Sequence, residues 1–217
     1  MSDESARERE FWDSAASTLE GARAVVWAEP EVPNAWEART KECVNEIIGA
    51  IEPGLDMSPW PPIMDLGCGV GRLAFPMALA ANRRVIGVDA SSRMVALAKE
   101  ESEARADAGR WAAWFMLGDG RTIPETGPLA AAYSVAMFQH IPKDATFGYI
   151  RQVAERLISG GRFRFQFVDG SEDTFLSHGL NISEVEETCI GAGLKVLAID
   201  RGIIFPSWVW VTAERVS

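Results

Sequence analysis

The chain has 217 residues, enough for one α/β domain with a sizeable core, or for a domain with a small appendage. Hydrophobic residues make up 47% of it and charged residues 24%, which is ordinary for a globular protein. The formal net charge of −10 argues against a nucleic acid as main partner, because phosphate backbones are bound mainly by lysine and arginine. No apolar run approaches the roughly 20 residues that a membrane span needs, so no membrane partner is expected.

The cysteines and the N-terminus indicate a compartment. Cys43, Cys68 and Cys189 form no metal-ligand pattern and are an odd number. The acidic N-terminus lacks the apolar segment of a signal peptide. These features predict a protein of the reducing cytoplasm with no metal site.

Residues 1–33 form an acidic amphipathic opening followed by a proline-punctuated stretch. Their apolar side chains include Trp12 and Trp27, so the segment is expected to be an extension that covers a binding site as a lid or simply packs on the domain. Residues 34–217 are expected to form the binding domain. Asn34 is a candidate N-cap for its first helix, which is predicted to end at Ile51.

Residues 63–71 carry the most informative pattern of the chain. A short apolar strand is followed by Gly67, Gly69 and Gly71, and then by a predicted helix over residues 72–81. Glycine permits positive φ and lets a ligand approach the backbone closely. A helix start adds unpaired N–H groups that favour a polar ligand. The pattern predicts a ligand site. The alternative is a glycine-rich turn that serves only to pack the helix on the strand, since such a turn can carry the same glycines.

The rest of the chain alternates strands and helices. Further strands are predicted at residues 84–89, 111–117, 129–138, 162–168, 194–200 and 207–213. Helices are predicted at residues 93–105, 143–158 and 183–192, with a Ser183–Glu186 capping box on the last and a polar loop over residues 169–181. This alternation predicts a doubly wound α/β fold, a mostly parallel seven-stranded Rossmann-like sheet with helices on both faces. Ligands of such sheets bind at the carboxyl ends of the strands.

Two nucleoside cofactors compete for the glycine turn. Asp89 ends the second strand 22 positions after Gly67, a spacing that suits a carboxylate accepting from ribose hydroxyls in either case. The dinucleotide fingerprint requires a third glycine where this chain has Arg72. Asp65 and Asp119 would repel a pyrophosphate but suit a ligand with sulfonium and ammonium groups. The charges therefore favour S-adenosylmethionine over NAD.

The sequence resembles the class I S-adenosylmethionine-dependent methyltransferases of the small-molecule type. The resemblance is strong over residues 61–168 and weaker to about residue 214. It rests on the motifs at residues 65–71, 88–89, 118–119 and 138–142 and on the turn at residues 157–162. The resemblance implies a sheet whose last strand is antiparallel, with S-adenosylmethionine as cofactor and S-adenosylhomocysteine as product. The fourth strand lacks the opening aromatic residue and aspartate of relatives, and no role follows for Tyr133.

The resemblance also implies which residues hold the methionine part of the cofactor. Asp65 would order the loop, Gly67 and Gly69 would admit the methionine part, and Cys68 would occupy a position that needs a small side chain. The backbone of Met137 would meet the cofactor's amino group.

The nucleoside part would lie beside the next two strands. By the same resemblance, Asp89 would hold the ribose hydroxyls, with Ala90 and Met94 near the adenine. Asp119 would accept from the adenine amino group beside the Gly120 backbone.

Three further side chains complete the prediction. Arg39 matches the basic residue that relatives use for the cofactor carboxylate. His140 follows the fourth strand on the expected substrate side and is the candidate general base. Such a base is needed only if the acceptor must lose a proton. The alternative is that His140 only caps or packs in the turn. His178 would reach substrate only if the 169–181 loop folds over the cleft.

The predicted function is methyl transfer by in-line displacement to O, N or C of a small-molecule acceptor, with the protein positioning and desolvating the reactants. A protein or RNA acceptor and a non-catalytic cofactor-binding module remain alternatives, and a dehydrogenase is more distant. A monomer or a homodimer is expected.

Overall fold

The computed structural model describes residues 3–26, 34–55, 60–106, 113–170, 173–174 and 177–216. The helices are α1 (Asp3–Ala15), α2 (Leu19–Val26), α3 (Ala35–Ile51), α4 (Ala74–Ala80), α5 (Ser92–Ala106), α6 (Lys143–Arg156) and α7 (Ile182–Gly191). The strands are β1 (Ile63–Leu66), β2 (Val85–Asp89), β3 (Trp114–Leu117), β4 (Leu129–Ser134), β5 (Leu157–Val168), β6 (Asp173–Thr174), β7 (Ser177–His178), β8 (Leu194–Arg201) and β9 (Trp208–Arg215). Short 3-10 helices lie at Glu52–Gly54 and Phe138–His140.

Seven strands form one sheet in the order β3-β2-β1-β4-β5-β9-β8. The pairs from β3 to β5 are parallel, whereas β9 runs antiparallel to both β5 and β8. This arrangement confirms the predicted Rossmann-like fold with an antiparallel last strand. The strand order reverses between β1 and β4, so their carboxyl ends open the crevice where ligands of such sheets bind.

The sheet separates two apolar layers. β1 and β4 are buried along their whole length, and successive side chains of β1 and β2 enter opposite layers. One layer packs against α3, α4 and α5 and the other against α6 and α7. Burial of both faces explains why these strands are continuous apolar runs in the sequence. No helix among the described residues is long and apolar enough to cross a membrane.

Several predicted boundaries shift. β4 ends at Ser134 rather than residue 138, because the chain turns at Ala136 (φ 56) into the 3-10 helix. α4 is shorter than the predicted 72–81 helix, and β5 begins at Leu157, where the predicted helix 143–158 has already ended. β3 begins at Trp114, and residues 111–112, where a start was predicted, lie outside the described part.

Two predicted helix caps differ from expectation. Asn34 occupies the N-cap position of α3 as predicted, but its backbone is left-handed (φ 58) and its side chain makes no capping hydrogen bond, which requires an extended backbone. α7 is capped by Asn181, whose Oδ1 accepts from the Ser183 N–H at 2.9 Å. The Ser183–Glu186 box therefore does not form, because the helix begins one residue before Ser183. In the predicted loop 169–181, β6 and β7 pair as a small hairpin, with residues 171–172 and 175–176 outside the described part.

Candidate functional site

A cleft lies at the carboxyl ends of β1, β2 and β4, and its empty space, counted together with its mouth open to solvent, is about 1030 Å³. Ten of the twelve predicted site residues line it: Asp65, Gly67, Cys68, Gly69, Asp89, Ala90, Met94, Gly120, Met137 and His140. It is also lined by Trp12, from the segment predicted to act as a lid, and by residues that were not among the predicted site residues: Leu66, Arg72, Leu73, Val88, Gly118, Val135, Ala136, Ile141 and Tyr149.

The glycine loop wraps over the end of β2. The N–H groups of Gly67 and Cys68 both donate to the Val88 carbonyl, at 2.8 and 3.1 Å. Gly67 has φ 79, and a Cβ there would lie 2.5 Å from the Met137 sulfur. Glycine is therefore required at this position both by the left-handed backbone and by the close approach of Met137.

We expect Gly67→Ala to lower the free energy of unfolding by about 3 kcal/mol, since a left-handed backbone and a steric clash act together. Gly127→Ala is the matched control, because Gly127 has φ 70 but no atom within 4 Å of the added Cβ. It should cost only about 1 kcal/mol. Urea unfolding of both variants measures the difference, and equal losses would rule out the Met137 contact as the cause.

Asp89 connects the glycine loop to the next helix. One carboxylate oxygen accepts from the Gly69 N–H at 2.8 Å and the other from the Ser91 N–H at 2.9 Å. Burial raises the pKa of Asp89, whereas the hydrogen bonds from Ser91 and Gly69 oppose the rise. The carboxylate is thus fixed in orientation at the cleft wall and retains lone pairs for a ligand hydroxyl.

Asp65 is a buried carboxyl group at the floor of the cleft. It is 2% exposed, and within the described part of the chain its Oδ2 has no hydrogen-bond partner. Burial raises its pKa to about 7, although the Tyr133 hydroxyl and the Arg72 charge act to lower it. Tyr133 is its register partner on β4. An unused, buried carboxylate oxygen favours a cationic donor in the cleft.

Arg72 brings a positive charge to the same cleft. Only 8% of it is exposed, its Nη1 lies 3.4 Å from the Thr40 hydroxyl, and its guanidinium lies 5.7 Å from the centre of the Trp36 ring. The sequence drew attention to Arg72 only as a missing glycine. Its place in the cleft depends on α3, more than 30 residues earlier in the chain.

Two predicted residues are not among those lining the cleft. Arg39 pairs with Glu42 at 2.7 Å and lies 5.6 Å from the Phe205 ring. The Asp119 carboxylate closes its own turn, accepting from the N–H groups of Arg121 and Thr122 and from the Thr122 hydroxyl, and these bonds lower its pKa. The cofactor-binding roles of Arg39 and Asp119 stay predictions.

The first helix crosses the cleft. The Trp12 ring meets the His140 ring edge to face, with centroids 5.3 Å apart. Arg9 Nη1 donates to the Asp119 carbonyl at 2.6 Å, and Asp13 accepts from the Ser91 hydroxyl at 2.6 Å. Hydrogen bonds over such sequence separations hold α1 on the carboxyl edge of the sheet. Trp27, which was also assigned to a lid, lies outside the described residues.

Asp13 also caps α5, since its Oδ1 accepts from the Arg93 N–H at 3.1 Å. We expect Asp13→Ala to speed amide hydrogen exchange in α1 by a factor of about 10 or more, corresponding to about 1.4 kcal/mol. Glu10→Ala removes an acidic side chain from the exposed face of the same helix and should leave exchange unchanged. Equal exchange in both variants would contradict this attachment.

The histidines and Cys68 have different surroundings. His140 lines the cleft, whereas His178 is buried with its Nε2 3.8 Å from Glu8 Oε1. Burial raises the pKa of Cys68 well above its usual value, so its thiol stays protonated and is a poor nucleophile. Among the described residues, no cluster of His, Cys, Asp and Glu is arranged to hold a metal ion.

Comparison with known proteins finds a domain match and two curated relatives. Residues 63–161 match a family model described as a methyltransferase domain. An uncharacterized 37.1 kDa protein in transposon TN4556 of Streptomyces fradiae is 30% identical over 174 residues, covering 73% of this chain and 48% of that protein. An O-methyltransferase of Pyrenophora dematioidea is 26% identical over 117 residues, covering 53% of this chain and 42% of that protein. The chain thus spans about half the length of these curated relatives.

Solved structures share the fold along most of the chain. Magnesium protoporphyrin IX methyltransferase (ChlM) of Synechocystis PCC 6803, solved with bound SAM, superposes with a TM-score of 0.74 at 18% identity, covering 99% of this chain and 98% of that one. The [4+2]-cyclase SpnF superposes with a TM-score of 0.66 at 15% identity, covering 80% of each chain. The domain match and the shared fold support the predicted resemblance to the class I S-adenosylmethionine-dependent methyltransferases, and the predicted fold is confirmed.

Proposed function

We propose that this chain transfers the methyl group of S-adenosylmethionine to O, N or C of a small-molecule acceptor. The observation that carries the proposal is the charge pattern of the cleft, which Asp65, Asp89 and Arg72 line. A buried carboxyl group, a second acid held by backbone N–H groups and one guanidinium match a ligand that carries an ammonium group, ribose hydroxyls and a carboxylate. A pyrophosphate would face two acids instead.

The residues present fit the cofactor. Asp65, with its unused buried oxygen, would receive the ammonium group, and Arg72 would pair with the carboxylate. Asp89 would accept from the ribose hydroxyls. The small residues Ala90 and Gly120 leave space for the adenine ring.

The cofactor supplies a methyl group already activated by its sulfonium, so the chain's own residues work by binding, orienting and excluding water. The glycine loop and Met137 form one wall of the cleft, and Trp12 and His140 form part of another. Trp12 brings α1 over the cleft, which supports the role of residues 1–33 as a lid on the domain formed by residues 34–217. The general-base role of His140 stays a prediction.

The acceptor class rests on the shape and charge of the chain. A partly enclosed and largely apolar cleft suits a small organic molecule, and the net charge of −10 argues against RNA. The Pyrenophora relative is called an O-methyltransferase, which supports oxygen as one acceptor atom. A cytoplasmic location and a monomeric or homodimeric state complete the proposal.

A second function is favoured by one observation. SpnF, which has the same fold, is called a [4+2]-cyclase, so this architecture is not restricted to methyl transfer. The alternative is that the chain binds the cofactor without transferring its methyl group.

The test incubates the protein with methyl-labelled S-adenosylmethionine and a panel of phenols, amines and activated carbon acids, with RNA and mixed peptides as further acceptors. We expect S-adenosylhomocysteine and labelled small-molecule product to form together. Label in RNA or peptide would contradict the acceptor class. Saturable cofactor binding without any turnover would favour the binding-only alternative.

A further inference from the structure

Beneath His140 a chain of side-chain amides leads to a backbone group. The Ala136 N–H donates to Gln166 Oε1 at 2.9 Å, and Gln166 Nε2 donates to Gln139 Oε1 at 3.1 Å. Gln139 Nε2 lies 3.1 Å from His140 Nε2. Gln166 is fully buried, so its hydrogen bonds are not open to exchange with water. The chain thus connects β5 to the 3-10 helix that carries His140.

The direction of every bond in this chain follows from its first member. A backbone N–H can only donate, so the Gln166 atom facing Ala136 must be the oxygen. Gln166 then presents its NH₂ group to Gln139, and Gln139 presents its own NH₂ group to His140. Because an amide NH₂ group can only donate, His140 Nε2 must accept.

We propose that Gln166 and Gln139 are positioning residues that hold His140 as the neutral tautomer with its proton on Nδ1. Nδ1 then carries a proton rather than a lone pair. Resting on the proposed function, His140 could not take a proton from an acceptor through that nitrogen. The sequence motif alone does not indicate which nitrogen of His140 carries the proton.

The charged groups around His140 do not change the requirement that its Nε2 accepts a hydrogen bond from Gln139. The cleft is lined by Asp65, Asp89, Arg72 and Tyr149, and His178 of β7, with Glu8 beside it, lies on the strand that packs on the 3-10 helix. A proton on Nε2, in the neutral or in the charged imidazole, would face the Gln139 NH₂ group. Relieving that contact requires reversing both amides, which would place the Gln166 NH₂ group against the Ala136 N–H.

The test is ¹⁵N NMR of the histidine side chains in the whole protein at neutral pH, without cofactor. The chain has only two histidines, so a His178→Asn variant assigns the spectrum. We expect Nδ1 of His140 to resonate as a protonated nitrogen and Nε2 as an unprotonated one, the reverse of the form that free histidine prefers. An Nε2–H form or an imidazolium would overturn the proposal.

Gln139→Glu provides the second arm, since the new carboxylate accepts from Gln166 and can then only accept from His140. We expect the His140 proton to move to Nε2, or both nitrogens to become protonated. Gln152→Glu is the matched control, because Gln152 fixes the 121–123 turn and is not part of this chain. An unchanged His140 spectrum in folded Gln139→Glu would also overturn the proposal. If that variant does not fold, the wild-type spectrum decides. The measurement involves neither cofactor nor turnover. A result that overturns this proposal therefore leaves the proposed function untouched, and the two can fail separately.

Discussion

Replacing Asp89 by alanine is expected to weaken S-adenosylmethionine binding about 100-fold, or about 3 kcal/mol. The carboxylate lines the cleft and accepts from the N–H groups of Gly69 and Ser91. The substitution therefore removes the proposed acceptor of the ribose hydroxyls and also the hydrogen bond that anchors Gly69 of the glycine loop. Isothermal titration calorimetry of the folded variant measures the loss.

Asp144→Ala is the control for this substitution. Asp144 is an exposed acid outside the cleft that pairs with Arg121 at 2.5 Å. Its loss changes the net charge by the same amount and should leave affinity within about threefold, as expected for an exposed ion pair. Equal affinities of the Asp89→Ala and Asp144→Ala variants would mean that Asp89 does not hold the ligand.

The second large effect is a pH dependence of folding that arises from Asp65. Its folded-state pKa is raised from 3.8 to about 7 by burial. Between these pH values the folded protein keeps a proton that the unfolded chain has released. Raising the pH therefore weakens folding, by about 4 kcal/mol in total once pH 7 is passed. This contribution is absent below the unfolded-state pKa, where both states are protonated.

Asp65→Asn removes this titration without a large change of shape. The difference in unfolding free energy between wild type and Asp65→Asn, measured by urea unfolding without ligand, should change by about 4 kcal/mol from pH 4 to pH 8. Other groups titrate alike in both proteins and cancel. A difference that does not vary with pH would contradict the buried carboxyl assignment.

The same group connects ligand affinity to pH. An ammonium group pairs with the ionised form of Asp65, so affinity for S-adenosylmethionine should rise as the pH approaches about 7 and then level off. In Asp65→Asn the affinity should be lower and should lack this rise. A parallel pH profile in both proteins would mean that the amino group binds elsewhere.

The parts of the site that the sequence predicted are those encoded locally. The alternate glycines and Asp89 at the end of a strand are short-range patterns, and the parallel topology then places them at one edge of the sheet. That is why Gly67, Gly69 and Asp89 line the cleft as expected.

The parts that were missed depend on packing between distant segments. Arg72 enters the cleft beside Trp36 and Thr40 of α3, while Arg39 on the same helix pairs with Glu42 instead. Sequence spacing cannot rank two arginines whose burial is decided by tertiary contacts.

Local turn chemistry bears on the role predicted for Asp119. Its carboxylate accepts hydrogen bonds from the N–H groups of the two residues that follow Gly120 in its own turn. Aspartate often closes turns in this way, so the neighbouring residues could have indicated it. Trp12, by contrast, reaches the cleft because Arg9 and Asp13 attach α1 to the Asp119 loop and to the start of α5, about 110 and 80 residues later, which no local pattern reveals.

The central claim is that this cleft binds S-adenosylmethionine, and calorimetric titration of the wild-type protein with S-adenosylmethionine, S-adenosylhomocysteine and NAD tests it most directly. The account predicts micromolar binding of the first two ligands, about −8 kcal/mol, and none of NAD. Binding of NAD with no response to either of the others would contradict it, because the charges of Asp65, Asp89 and Arg72 would then have been assigned to the wrong ligand.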